Sequence, residues 1–244
     1  MEAYDYESLS GRVILVTGGG RGLGAAICET LAQDGAQIAV ADINKSTASK
    51  VADEITFRGH TAEAYAMDVT DEHSITKAYD GIVSRFGHVD VIINNAGIDV
   101  TIGIREMQSS DWHRVIATNL TGPFLVSKHG LEHLCPGGHI VNIASTAARR
   151  AWPNASVYHA SKWGLMGLTH ALHSELRGEG IKVSAVIAGG MRTPFLLDRF
   201  QDLDVQLLQE PKNVARTIKF VLTQPPETVI PEVMVLPMKE TSWP

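Results

Sequence analysis

Short apolar runs alternate with longer amphipathic stretches along the whole of this 244-residue chain, and that rhythm leaves few folds open. RVILVT (12–17), QIAVAD (37–42), TAEAYAM (61–67), VDVIIN (89–94), HIVNIA (139–144), KVSAVI (182–187) and a run near 232–236 have the length and composition of strands. Between them, 22–34, 45–58, 71–86, 110–134, 156–178 and 212–223 read as helices. Such alternation builds βαβ units, so the expected class is α/β: a doubly wound, mostly parallel sheet with helices on both faces. A chain of this length approaches the upper limit for one core, and no linker, charge run or repeat divides it, so a single domain over 1–244 is expected. One segment breaks the rhythm, PFLLDRFQDLDVQLLQEP at 194–211. It leaves from a strand's carboxyl end, where ligands of open α/β sheets bind, so it reads as a lid over a substrate or as an excursion packing its leucines on the body.

Composition removes several alternatives. Hydrophobic residues make up 44% and charged residues 20%, with no uninterrupted apolar stretch of membrane-spanning length. A formal charge of −6 without any run of Lys or Arg argues against nucleic acid as a partner. The two cysteines, Cys28 and Cys135, form no C-x-x-C motif, and the acidic start MEAYDYESLSGR does not resemble a signal peptide, so a cytoplasmic location is expected. His129 with His133, and His170 with His173, have helical ligand spacing but no H-E-x-x-H context, and no metal site is expected.

The first strand runs into TGGGRGLG (17–24) and then a helical pattern. Glycines at such a turn let backbone approach a pyrophosphate, which then rests on the amides and positive end of the new helix. Gly18, Gly22 and Gly24, with Arg21 and Leu23 among them, therefore form a candidate dinucleotide loop. Asp42 ends the second strand, where a carboxylate accepts from a ribose 2′-hydroxyl and repels a 2′-phosphate; this favours NAD. Arg21 pulls toward NADP, because a guanidinium there can pair with that phosphate. The carboxylate is the stronger influence of the two.

Further along stand Asp68 and Val69 in MDV, NNAG at 94–97, Asn119, Ser145, and YHASK at 158–162. At this point the whole chain resembles the short-chain dehydrogenase/reductase family in its single-domain form, near its carbonyl and 3-oxoacyl reductases. The resemblance implies a seven-stranded Rossmann sheet and hydride transfer between a nicotinamide cofactor and a carbonyl or secondary alcohol. Asn119, Ser145, Tyr158 and Lys162 look like the family's catalytic tetrad. Asp68 and Val69 match adenine-side contacts. Asn95, Ala96 and Gly97 belong to the motif backing the cofactor, and Thr193 is placed like the residue that meets the carboxamide. Tyr158 and Lys162 share a helical face one turn apart, so the ammonium is expected to lower the phenol's pKa and make it a usable acid and base. Ser145 would hold the substrate oxygen, and Asn119 would anchor a water near a kink at Gly122-Pro123.

Ile98, Ala147, Trp152, Gly190, Met191 and Phe195 are expected to border a mostly apolar substrate pocket. His159, about 100° around the helix from Tyr158, reads as a packing residue. Two departures from the family pattern stand out: Ala188-Gly189-Gly190 replaces the usual Pro-Gly, and the ending PEVMVLPMKETSWP lacks D-G-G. Apolar residues spread around 110–134 and 156–178 suggest a homodimer or homotetramer built on those two helices. A dinucleotide-sensing regulator without turnover is the alternative, although such a protein would usually have lost Tyr158 or Lys162. An epimerase or dehydratase of the longer family branch fits neither the glycine spacing nor the length.

Overall fold

The computed structural model describes residues 8–240; the acidic start used to argue against a signal peptide lies mostly outside them. In chain order the elements are β1 (Val13–Thr17), α1 (Gly22–Ala32), β2 (Gln37–Asp42), α2 (Lys45–Phe57), β3 (Thr61–Ala66), α3 (Glu72–Phe86), β4 (Val89–Asn94) and α4 (Ser109–Ile116). They continue with α5 (Gly122–Gly130), β5 (Leu134–Ser145), α6 (Ser156–Leu176), β6 (Lys182–Ala188), α7 (Pro194–Leu197), α8 (Pro211–Leu222) and β7 (Glu232–Val235). The seven strands form one sheet in the order β3-β2-β1-β4-β5-β6-β7, with every pairing parallel.

The central strands are apolar on both faces: Val13, Ile14, Leu15 and Val16 are all fully buried. A strand of that kind needs cover on each side. One core holds residues of α1, α2 and α8, including Ile27, Leu31, Val51, Ile55, Val214 and Ile218. The other holds residues of α3, α5 and α6, including Ile75, Tyr79, Ile82, Leu125 and Leu176. Helix starts follow local chemistry: Asn44 accepts from Ser46 N at 3.0 Å and Asp71 from His73 N at 3.0 Å, each satisfying a free first-turn amide.

The expected helix 110–134 is instead two helices joined by a π-helical turn, Ala117–Thr121. Pro123 sits in the first turn of α5 and has no amide to donate back into the preceding turn, which fits a local shift in the hydrogen-bond ladder there. The chain then enters β5 at Leu134, earlier than 139. Leu134 pairs with Val89, the register slips across Pro136-Gly137-Gly138, and regular pairing resumes at His139 with Val91. Strand order reverses at β1, which has β2 on one side and β4 on the other. The crevice at that reversal, beyond the carboxyl ends of β1 and β4, is where such a sheet leaves room for a ligand.

Candidate active site

A cavity of about 780 Å³ opens at this crevice, lined from the glycine loop at one end to the 194–211 segment at the other. The loop's shape depends on having no side chains. Gly18 (φ +62°) and Gly22 (φ +56°) lie in the left-handed region, and a Cβ on Gly18 would stand 2.9 Å from Ala96 Cα. A Cβ on Gly24 would stand 2.0 Å from Gly18 O. Asn95 braces the same turn, its Nδ2 donating to Thr17 O at 2.9 Å and Gly18 O at 3.1 Å. The Thr17 hydroxyl in turn accepts from Asn95 N and Ala96 N. A bare backbone cradle at the start of α1, opening on a cavity of this size, fits the pyrophosphate of a dinucleotide.

Asp42 borders the cavity at the end of β2. Its Oδ2 accepts from Gly20 N at 3.0 Å and its Oδ1 from Asn44 N at 2.9 Å, so the carboxylate also shapes the loop. Arg21 reaches instead toward Asp198 of the 194–211 segment, at 3.7 Å and largely exposed. Leu23, Asp68, Val69, Gly97 and Thr193 also line the cavity. Asp68 accepts from both the amide and the hydroxyl of Thr70.

At the other end, α6 presents Tyr158 and Lys162 to the ends of β4 and β5. Lys162 is 6% exposed, and its Nζ donates to Ile143 O at 2.8 Å. It lies 5.8 Å from the centre of the Tyr158 ring. Ser145 accepts from Ala147 N at 3.2 Å and hydrogen-bonds the Tyr158 side chain. Asn119 projects from the π-helical turn and is fully buried. Its Oδ1 accepts from Ile98 N at 2.8 Å, while its Nδ2 donates to Ile98 O at 2.8 Å and Ser161 Oγ at 3.1 Å. Both amide protons are thus used within the protein, clamping the loop after β4 to α6; the remaining Oδ1 capacity faces Lys162 across Gly97.

The electrostatics differ from the expectation. Burial outweighs every other influence on Tyr158 and pushes its pKa up to about 12; the bond from Ser145 opposes this, Asp99 adds to it and Arg199 opposes it. Burial also brings Lys162 down to about 8, with Asp99 partly restoring it. The phenol is therefore held protonated at neutral pH, and the buried ammonium of Lys162 does not reverse that.

Ile98, Trp152, Gly190, Met191 and Phe195 line the cavity, but Ala147 does not: it is fully buried in a small cluster with Ala155 and Tyr158. Its carbonyl is bonded by His159 Nδ1 at 2.9 Å, and His159 Nε2 accepts from Trp152 N at 3.1 Å while its ring meets the Trp152 ring edge-on at 4.4 Å. His159 thus braces the Trp152 loop from behind. The cavity also draws in Asp99, Thr101, Arg199, Phe200 and Glu240, none of which carries a sequence signal. Glu240 accepts from Gly190 N at 3.2 Å, and a Cβ on Gly189 would stand 2.9 Å from its Oε2. Glycines beyond β6 thus admit the end of the described chain. The spaced histidines do not converge: His129 meets Glu72, His170 meets Glu232 and His133 stacks on Tyr79.

Comparison with known proteins decides the family: the short chain dehydrogenase family matches residues 12–204. The chain is a short-chain dehydrogenase/reductase. It is 37% identical over 182 residues to a D-threitol dehydrogenase of Mycolicibacterium smegmatis, covering 73% of this chain and 69% of that protein. It is 32% identical over 241 residues to a cis-4-hydroxycyclohexanecarboxylate dehydrogenase of Sinomonas cyclohexanicum, covering 94% and 96%. A solved metagenomic short-chain oxidoreductase in complex with NADP superposes with a TM-score of 0.83 at 31% identity, covering 94% of this chain and 98% of that one. Membership makes this short-chain dehydrogenase/reductase a nicotinamide-dependent oxidoreductase with a Rossmann sheet.

Gly24→Ala should abolish dinucleotide binding, read as loss of cofactor-induced quenching of tryptophan fluorescence, while circular dichroism stays that of the parent. Unchanged affinity would show that the loop tolerates a side chain and is not the cradle.

Proposed function

We propose that this chain oxidises a secondary alcohol or reduces the corresponding carbonyl with NAD, Tyr158 being the proton carrier. The observation that carries this reading is the convergence of Tyr158, Ser145 and Lys162 on a cavity whose far end is the glycine cradle. When bound, the dinucleotide would supply or accept the hydride and, oxidised, would add a positive charge that favours phenolate. Reduction builds negative charge on the substrate oxygen, which must be met by a proton. A Tyr158 hydroxyl held protonated by burial is ready to give one, and Ser145 at the end of β5 is within reach of the same oxygen. Lys162, an ammonium below about pH 8, supplies charge and donors beside the ring. Asn119, through its clamp on Ile98 and its free Oδ1 capacity, supports a proton route toward Lys162.

Three further features of the reading rest on particular residues. NAD is favoured because Asp42 puts a carboxylate where a 2′-phosphate would stand, while Arg21 faces Asp198. The metagenomic relative was solved with NADP, so the preference of this chain rests on those two side chains. The 194–211 segment acts as a substrate lid, supported by Phe195, Leu196, Arg199 and Phe200 lining the cavity. Its walls of Ile98, Trp152, Phe195 and Met191 suit an alcohol or ketone on a largely apolar body, and both named relatives are dehydrogenases of hydroxylated compounds. Assembly as a homodimer or homotetramer is supported by Phe124 on α5 and Trp163 on α6, 44% and 53% exposed. Val157, Leu165 and Met166, also among the apolar residues of 156–178, are covered within the subunit. Among the described residues no helix is long and apolar enough to cross a membrane, and the protein is proposed to work in the cytoplasm.

Tyr158→Phe should keep dinucleotide affinity and cut turnover by roughly 10²–10⁴-fold, since only the transferable proton is removed. Turnover near the parent value, followed by nicotinamide absorbance over a panel of alcohols and ketones, would remove Tyr158 from the reaction. Asp42→Ala should shift the ratio of kcat/KM for NAD over NADP toward NADP by at least about tenfold, the size of one lost charged contact. An unchanged ratio would assign the choice to another residue.

A further inference from the structure

Resting on the reading of Tyr158 as acid and base, we propose that Asp99 and Arg199 form a charge latch between cavity floor and lid. In it Arg199 is a positioning residue that sets how readily Tyr158 releases its proton.

Asp99 stands two residues beyond Gly97 in the loop after β4, and Arg199 follows α7 in the lid. The Asp99 side chain is 7% exposed and the Arg199 side chain 24%. The guanidinium binds Asp99 Oδ2 and lies 3.4 Å from Thr101 Oγ1, while its Nε donates to Phe195 O at 2.7 Å. It also stacks over the Phe195 ring at 4.3 Å, and that ring lies 5.9 Å from the ring of Tyr158. The cation, an aromatic ring and the reacting phenol are thus layered in sequence.

Asp99 Oδ1 is buried and has no hydrogen-bond partner. A buried carboxylate with one unbonded oxygen depends heavily on the cation bound to its other oxygen, and losing that partner leaves a charge the site solvates poorly. The charged or polar groups that face Tyr158 are Asp99 from the loop after β4, Arg199 from the lid, Lys162 from its own helix, and Ser145 from β5. Asp99 opposes ionisation of the phenol and Arg199 favours it, and Lys162 also feels Asp99. With the lid in place the two charges act on the hydroxyl in opposite directions. Withdrawal of the lid removes only the cation, so Asp99 then holds the proton on Tyr158 more firmly. Proton transfer is therefore coupled to lid position. The second lid contact, Arg21 with Asp198, is exposed on both sides and contributes little hold.

The test uses the full chain with Asp99→Asn, Arg199→Leu and the double variant. Two readings are taken: the pH dependence of kcat/KM for alcohol oxidation, and an ultraviolet difference titration of tyrosinate against the same protein carrying Tyr158→Phe. Arg199→Leu should move both apparent pKa values up by roughly one unit, Asp99→Asn should move both down by a similar amount, and the double variant should return near the parent. Arg199→Lys, which keeps the charge, should hold the parent profile; Asp99→Asn is nearly isosteric and carries the test by itself if Arg199→Leu does not fold. Values unmoved in Asp99→Asn, or moved upward, would overturn the latch. The titration needs no turnover, so a full-rate Tyr158→Phe enzyme whose parent titration still responds as stated would sink the catalytic reading while leaving the latch standing.

Discussion

A parallel sheet covered on both faces has only its ends available for polar work. Here the interior of β1 is fully apolar, and the helices of two separate cores seal the faces. Backbone amides and carbonyls leaving the sheet at its carboxyl edge must find new partners. The chain meets this demand with chemistry: the glycine turn after β1, the Asn95 brace after β4, Ser145 closing β5, and Lys162 capping the carbonyl of Ile143. Every element of the site answers an edge that the fold itself leaves open.

Burial then governs the charges placed there. An ammonium 6% exposed and a phenol 9% exposed are both driven toward their neutral forms, Lys162 downward and Tyr158 upward. The Lys162 charge survives at neutral pH because its depressed pKa still lies above seven. The phenol keeps its proton, and small changes in the surrounding field decide how tightly. Ser145 and Arg199 loosen it, while Asp99 tightens it. The 194–211 segment thus contributes charge to the cavity as well as lining.

Much of this was legible along the chain because local patterns repeat with fixed periods. A run such as VILVT, short, β-branched and followed by glycines, reads as a doubly covered strand, and residues four apart on a helix share a face, which is why Tyr158 and Lys162 stand together. Gly18, Gly22 and Gly24 were legible because only glycine admits the turn they make. The 110–134 helix was not, because a proline in an apolar run says that the ladder must shift without saying how; the π-helical turn that carries Asn119 is one of several outcomes. Ala147 was expected at a wall from its distance beyond β5, but a one-turn 3₁₀ helix at Thr146–Ala148 turns it inward under Tyr158.

By itself the sequence determined the order of strands and helices, the glycine turn and the residues offered at the sheet's carboxyl edge, since each depends on neighbours within a few positions. Only the tertiary structure decided what those residues experience. The pairing of Asp99 with Arg199 spans 100 positions, and Glu240 reaches Gly190 across 50. Contacts of such range leave no period in a sequence, and the direction of a buried group's proton affinity depends on how completely water is removed around it, which no local pattern records.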